Sequence, residues 1–289
     1  MATREGHEPY WDLIKRIIIE SDLVLEILDA RLVEVSRNKE VERLIEEIGR
    51  PMIFVINKSD LVSSQSLEKP VQELKKKGEV VFVSSKNPKT VKVLLYVIKK
   101  VFDKFGKREK VERGKYDPKP KYREALGEIV VGVLGYPNVG KSSVINALAH
   151  KKKVKVSKKS GTTHGVHWIK ATSEIKLIDS PGVIPLNQED EIRYGLIGAK
   201  DTEALKDPEL VAHAVVKLFL KYGKKKFEEF YKINVDSKDV KGKGGEKGVE
   251  DIVEEIGFQR GFLVKGGKVD ENRVVSLIVR DWQQGRLRL

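Results

Sequence analysis

The sequence predicts an α/β fold, a mostly parallel sheet covered on both faces, followed by a C-terminal all-helical domain. Three observations predict it. Short β-branched runs alternate with charged, amphipathic stretches through the first two thirds of the chain. One alternation carries a glycine-rich loop between a strand-like and a helix-like run. Beyond Pro185 the strand-like runs stop.

The strand candidates are residues 23–28, 52–56, 80–83, 129–134, 168–171 and 175–178. Helix candidates lie between them at 11–20, 39–48, 67–77, 91–105 and 142–149. Parallel strands need long crossovers, which lay helices on both faces of the sheet. Such sheets bind ligands beyond the carboxyl ends of their strands, so functional residues are expected there. Residues 106–123 (GKREKVERGKYDPKPKYR) are charged, hold two prolines and show no period. They read as a linker inside the first domain, residues 1–190. Residues 191–289 form the second domain, with helices expected at 208–221, 225–232, 249–256 and 272–284. The Gly/Lys-rich stretch 237–247 (SKDVKGKGGEK) is expected to be mobile.

Composition supports two domains with a sizeable core: 289 residues, 40% of them hydrophobic. Lys and Arg number 56 against 43 Asp and Glu, a net charge of +13 that favours a polyanionic partner, nucleic acid being the commonest. Cysteine is absent, which excludes a disulfide framework, a thiolate metal site and a cysteine nucleophile. No apolar run approaches the ~20 residues of a membrane span. The opening MATREGHEPYWD lacks the apolar segment of a secretion signal, so a cytoplasmic monomer without a membrane partner is expected.

Gly135-Tyr-Pro-Asn-Val-Gly140-Lys141-Ser142 satisfies G-x-x-x-x-G-K-[ST], after the run EIVVGVL and before SSVINALAH. That context is the one a phosphate-cradling loop requires. Its glycines let successive N–H groups, Val139, Gly140 and Ser143 among them, converge on phosphate oxygens. The following helix adds its positive end. Lys141 is expected to reach the β- and γ-phosphates and the Ser142 hydroxyl to ligate Mg²⁺. Average residue usage makes a chance match about one in a hundred for a chain of this length.

Asn57-Lys58-Ser59-Asp60 ends the run 52–56. The Asp60 carboxylate can accept from N1–H and the 2-amino group of guanine. Adenine would leave it unpaired, at a cost of about 1–3 kcal/mol or more. Asn57 can contact the other edge of the base, and the Lys58 stem can lie along its face. After the next strand, Ser84-Ser85-Lys86 can offer a backbone N–H to guanine O6. NKxD alone is a weak match; with SSK and the phosphate loop, each at a strand end, it marks a guanine-nucleotide site for GTP and GDP.

Asp179-Ser180-Pro181-Gly182 follows the last strand and gives D-x-x-G. Asp179 is expected to hold Mg²⁺ through water and the Gly182 N–H to bond the γ-phosphate. Both interactions end when hydrolysis removes that phosphate. Between the loops lies Gly161-Thr162-Thr163, and Thr163 is chosen to complete the Mg²⁺ shell. Val183 stands where many GTPases carry a water-orienting glutamine, so another group must serve. Asn138 has two uses, holding a potassium ion beside the phosphates or bracing the loop, and the residues leave both open.

The motif order is NKSD, SSK, GYPNVGKS, GTT, DSPG, with the guanine motifs first. A circular permutation explains it, the linker 106–123 joining the former ends. Here the chain resembles the circularly permuted ribosome-assembly GTPases, in particular the YlqF-like group. Asp22–Arg31 (DLVLEILDAR) and the tail GFQRG, KGGKVD and RVVSLIVRDWQQGRL are similar to that group as well. The resemblance implies a Ras-like P-loop domain, slow GTP hydrolysis often stimulated by potassium, and action on a ribosomal subunit precursor, usually the large one. Candidate ribosomal RNA contacts are Lys151–Lys153, Lys158, Lys159, Lys224–Lys226, Lys265, Lys268, Arg273, Arg280, Arg286 and Arg288.

Overall fold

The computed structural model describes residues 10–63, 67–108, 129–149, 167–180, 191–238, 244–246 and 248–289. The chain divides into two compact units, the first holding the sheet and running, with short exceptions, to Pro185, and the second spanning Leu186–Leu289.

The first unit is built on a six-stranded sheet. Its strands are β1 (Leu23–Asp29), β2 (Met52–Asn57), β3 (Glu79–Phe82), β4 (Ile129–Leu134), β5 (His167–Lys170) and β6 (Ile175–Asp179). Their spatial order is β3-β2-β1-β4-β6-β5. All neighbours are parallel except β5, which runs antiparallel to β6 at the edge. Every residue of β1, β2 and β4 is buried. That explains their near-continuous apolar sequences: a strand covered on both faces has no solvent side on which to place polar residues.

The covering helices include α1 (Tyr10–Glu20), the short α2 (Val33–Ser36), α3 (Lys39–Ile48), α4 (Glu68–Lys75), α5 (Pro88–Phe105) and α6 (Lys141–Leu148). Side chains start two of them: Asn38 accepts from the N–H groups of Glu40 and Val41, and Asn87 accepts from Lys89. Both cap first-turn donors that have no partner within the helix. Gly49 ends α3 in the left-handed conformation.

The two parts of the sheet meet at β1 and β4, where Asp22 joins them. Its carboxylate accepts from the Val130 N–H (2.7 Å), and its own N–H donates to the Val130 carbonyl (2.8 Å). Arg108, at the described end of the segment after α5, closes an ion pair on the same carboxylate at 3.1 Å. Residues 109–123 of the expected linker lie outside the described residues.

The second unit contains α7 (Glu191–Ile197), α8 (Pro208–Tyr222), α9 (Lys224–Tyr231), α10 (Val249–Arg260) and α11 (Glu271–Gln283). An aromatic cluster forms its core: Phe219 packs on Phe227 (5.3 Å between ring centres) and edge-on to Trp282 (5.9 Å). The indole N–H of fully buried Trp282 donates to the Leu196 carbonyl at 2.7 Å, tying α11 to α7. The expectation of an all-helical tail needs an amendment. A two-stranded antiparallel ribbon, β7 (Asp236–Lys238) with β8 (Gly244–Glu246), overlaps the stretch expected to be mobile, whose residues 239–243 and 247 lie outside the described residues. Glycines and lysines alternate there without apolar periodicity, so neither strand announces itself in sequence.

Candidate nucleotide-binding site

The carboxyl ends of β1, β2, β3, β4 and β6 lie along one edge of the sheet, and NKSD, SSK, the phosphate loop and Asp179 are found there. β4 ends at Leu134 and the loop Gly135–Gly140 leads into α6. Both of its glycines are required by geometry. Gly140 has φ 101°, and a Cβ there would come within 2.2 Å of Asn57 Nδ2. Gly135 has φ 145°, and a Cβ would meet the Ile27 carbonyl oxygen at 2.6 Å. Asn138 also adopts a left-handed conformation, with φ 59°. Val139, within the loop, is fully buried, while Ser142 and Ser143 sit half-buried in the first turn of α6.

Lys141 is buried, and its ammonium donates to the carbonyls of Gly135 (2.7 Å) and Tyr136 (2.9 Å) at the start of the same loop. Burial pushes its pKa down to about 8, with the charge of Asp179 acting in the opposite direction. Asp179 ends β6, 1% exposed, and burial pushes its carboxyl up to about 6 against the pull of Lys141 and His167. Neither of its carboxylate oxygens has a hydrogen-bond partner among the described residues. Two buried, unsatisfied acceptors facing a cationic loop are suited to a hydrated divalent cation.

The guanine motif touches the phosphate loop directly. Asn57 Nδ2 donates to the Val139 carbonyl at 2.9 Å, and Asn57 Oδ1 is buried without a partner among the described residues. Lys58 is left-handed, with φ 60°, and its ammonium bonds Asp29 Oδ2 at 2.6 Å. Asp60 lies at the surface, its carboxylate 3.8 Å from the Lys86 ammonium. The backbone of the adjacent turn is fixed by Thr90. Its hydroxyl accepts from the Ser84 N–H at 3.1 Å and donates to the Asn87 carbonyl at 2.8 Å, with the Ser84 carbonyl a longer alternative acceptor at 3.1 Å. Ser84 is buried, Ser85 half-buried and Lys86 exposed.

The structure thus brings Asn57, Lys58, Asp60, Ser84, Ser85, Lys86, the phosphate loop and Asp179 to one edge. Thr163, Gly182, Val183, Lys151–Lys153, Lys158 and Lys159 lie outside the described residues. Sequence reasoning assigned no chemistry to Asp29 and Arg31. Both are buried, and Arg31 makes a bidentate pair with Asp29 (Nε–Oδ1 3.0 Å, NH2–Oδ2 2.8 Å). The available signal was their position: an acid and an arginine at a strand's carboxyl end, two residues apart.

The comparisons with known proteins agree with this architecture. Residues 130–240 match the family model described as 50S ribosome-binding GTPase, and residues 5–104 match the elongation factor Tu GTP-binding domain. An uncharacterised GTP-binding protein of Methanocaldococcus jannaschii is 34% identical over 96% of this chain, and ribosome biogenesis GTPase A of Bacillus cereus is 30% identical over 92% of it. The chain spans 84% of the Bacillus protein, 66% of the Methanocaldococcus protein and 52% of nucleolar GTP-binding protein 2 of Pneumocystis carinii, a further 30% identical relative. The crystal structure of YlqF from T. maritima, bound to GNP, superposes with a TM-score of 0.59 at 22% identity, covering 97% of this chain and 96% of that one.

Proposed function

The chain belongs to the YlqF-like ribosome-assembly GTPases, and on that premise we propose that it is a GTP-hydrolysing switch acting in ribosome biogenesis, on a precursor of the large subunit, through RNA contacts of its C-terminal unit. The observation that carries the reading is the bond from Asn57 to the Val139 carbonyl. It couples the base-reading motif to the phosphate-reading loop, so one ligand must satisfy both.

In this reading Asp60 accepts from N1–H and the 2-amino group of guanine, and a backbone N–H of the Ser84–Lys86 turn donates to O6. The second hydrogen of the Asn57 amide, not used by Val139, serves the other edge of the base. The N–H groups of Gly140, Lys141, Ser142 and Ser143 face the phosphates, helped by the N-terminus of α6, whereas that of Val139 donates to the Pro137 carbonyl at 2.9 Å and must leave it to reach a phosphate oxygen. Lys141 exchanges its loop carbonyls for β- and γ-phosphate oxygens.

The unsatisfied Asp179 carboxylate and the Ser142 hydroxyl would hold a Mg²⁺, joined in the GTP state by Thr163, and the cation would supply positive charge beside the transferred phosphoryl group. The Gly182 N–H senses the γ-phosphate. With valine at 183, orientation of the attacking water falls to backbone, to a potassium ion held with the help of Asn138, or to the ribosomal particle.

GTP turnover, measured in potassium and in sodium buffer with and without purified large ribosomal subunits, tests the proposal. We expect slow intrinsic hydrolysis that subunits raise at least tenfold, about 1.4 kcal/mol of transition-state stabilisation. Tight GTP binding with turnover indifferent to both additions would instead identify a nucleotide-sensing scaffold.

A further inference from the structure

The Asp29-Ala30-Arg31 segment, to which the sequence alone assigns no role, forms a tightly bonded polar cluster beside the guanine motif. Asp29 lies opposite Asn57 in the register of β1 and β2. Its carboxylate is buried and accepts four bonds. They come from the Arg31 backbone N–H (3.0 Å), Arg31 Nε (3.0 Å), Arg31 NH2 (2.8 Å) and the Lys58 ammonium (2.6 Å). The Asp29 N–H is held in turn by the Ser36 hydroxyl at 3.0 Å. Burial alone would raise the Asp29 carboxyl, but Arg31 and Lys58 together hold it far below the usual carboxylate range.

Such a cluster is costly to build, because charges must leave water. Three groups, two positive and one negative, are bonded in fixed geometry at the point where β2 turns into the guanine motif. Lys58 is the residue that turns it. A left-handed φ is unfavourable for a lysine and persists only when its surroundings impose it. Here both ends of the residue are held: its backbone follows Asn57, itself bonded to the phosphate loop, and its ammonium is drawn to Asp29. The aliphatic stem between them is left in one orientation, and the next two residues deliver Asp60.

We propose that Asp29 and Arg31 are positioning residues for guanine recognition. Arg31 fixes the Asp29 carboxylate, which anchors the Lys58 ammonium, so that the Lys58 stem and the Asp60 carboxylate are pre-set for the base. The inference rests on the guanine-nucleotide reading above and adds residues that never touch the nucleotide. It also explains why β1, which contributes no motif of its own to the phosphates or the base, ends in charged residues bonded to one another.

The test is the dissociation rate and affinity of mant-GDP, with melting of the nucleotide-free protein followed in parallel. Asp29→Asn keeps the shape and an acceptor for the Arg31 N–H but removes the charge. We expect mant-GDP to leave about tenfold faster, the equivalent of one charge-assisted hydrogen bond. Lys58→Met should give a similar acceleration. The decisive readout is their combination. If Asp29 acts through Lys58, Asp29→Asn added to Lys58→Met causes no further acceleration, whatever it does to melting. Additive effects on dissociation, or an unchanged rate in a folded Asp29→Asn protein, overturn the proposal. Should Asp29→Asn not fold, Arg31→Met carries the test: it spares the Asp29–Lys58 bond but frees the carboxylate to rotate, and an unaltered rate again refutes the idea. An unmodified chain that bound no mant-GDP would overturn the nucleotide reading and this one together, whereas normal mant-GDP binding with insensitive variants overturns only this one.

Discussion

Glu26 shows how much a single position in this sheet is constrained. It lies in the middle of β1, 1% exposed, with Oε1 accepting from the Asn38 N–H at 2.9 Å and Oε2 buried without a partner among the described residues. Burial and the neighbouring Glu42 push its carboxyl up to about 8, against the Asn38 N–H, Arg37 and Lys77. Glu42 has its own partners, Arg37 at 2.7 Å and Lys77 at 3.2 Å, which hold it down against burial. A carboxyl whose folded pKa exceeds its ordinary value of 4.5 favours folding when protonated. Its contribution is complete below about pH 4.5 and is lost as pH rises through about 8. Replacing it with glutamine, which keeps the acceptor and carries no charge, should remove that loss. Urea denaturation of Glu26→Gln and the parent at pH 5, 6.5 and 8 should show the variant gaining on the order of a few kcal/mol relative to the parent toward alkaline pH. Parallel profiles would rule the assignment out.

Among the elements, the phosphate loop makes the sharpest demand. A methyl group at Gly140 would meet a left-handed backbone and, at 2.2 Å, the Asn57 amide, which is itself fixed by Val139. Gly140→Ala is therefore expected to destabilise the protein by about 1–3 kcal/mol and to weaken mant-GDP binding at least tenfold. Calorimetric titration with chemical denaturation checks both, and full affinity in Gly140→Ala would show that the loop relaxes. The elements most legible in sequence share this economy of alternatives. Strand 129–134 and helix 39–48 are found with the expected bounds, because continuous burial and an Asn cap leave one reading. The placement of NKSD, SSK, the phosphate loop and Asp179 at strand ends was legible because each follows a β-branched run in sequence. Besides the β7–β8 ribbon, three features were not. The seven-residue α7 has no cap visible in sequence and carries Gly195 within it. The antiparallel sense of β5 depends on its partner β6 rather than on its own residues. The Asp29–Arg31–Lys58 cluster joins the ends of two neighbouring strands, and no local pattern encodes that meeting.

For the whole molecule, the two units must communicate if hydrolysis is to change what the C-terminal unit binds. The chain runs from Asp179 through residues 181–190 directly into α7, so the proposed γ-phosphate sensor and the helical unit are neighbours in sequence. We expect this chain to bind large-subunit ribosomal RNA at least fivefold more tightly with a non-hydrolysable GTP analogue than with GDP, with affinity falling steeply between about 50 and 200 mM salt, as counterion release requires. Filter binding in both nucleotide states measures this, and equal affinities would sink the coupling. The strand order has a further consequence, for synthesis. Among the described strands β1 is made first, yet it lies mid-sheet and pairs on one side with β4, about a hundred residues later. A chain emerging from the ribosome can therefore assemble β1, β2 and β3 with the base-reading motif while one edge of β1 still shows its backbone donors and acceptors. An open apolar edge of that kind invites mispairing. The Asp22 carboxylate waits there for the Val130 N–H, and only when β4 docks does the phosphate loop join the half made before it. On the proposed reading, nucleotide affinity therefore waits until the second half of the first unit has been made, and reports that both halves of the sheet have met.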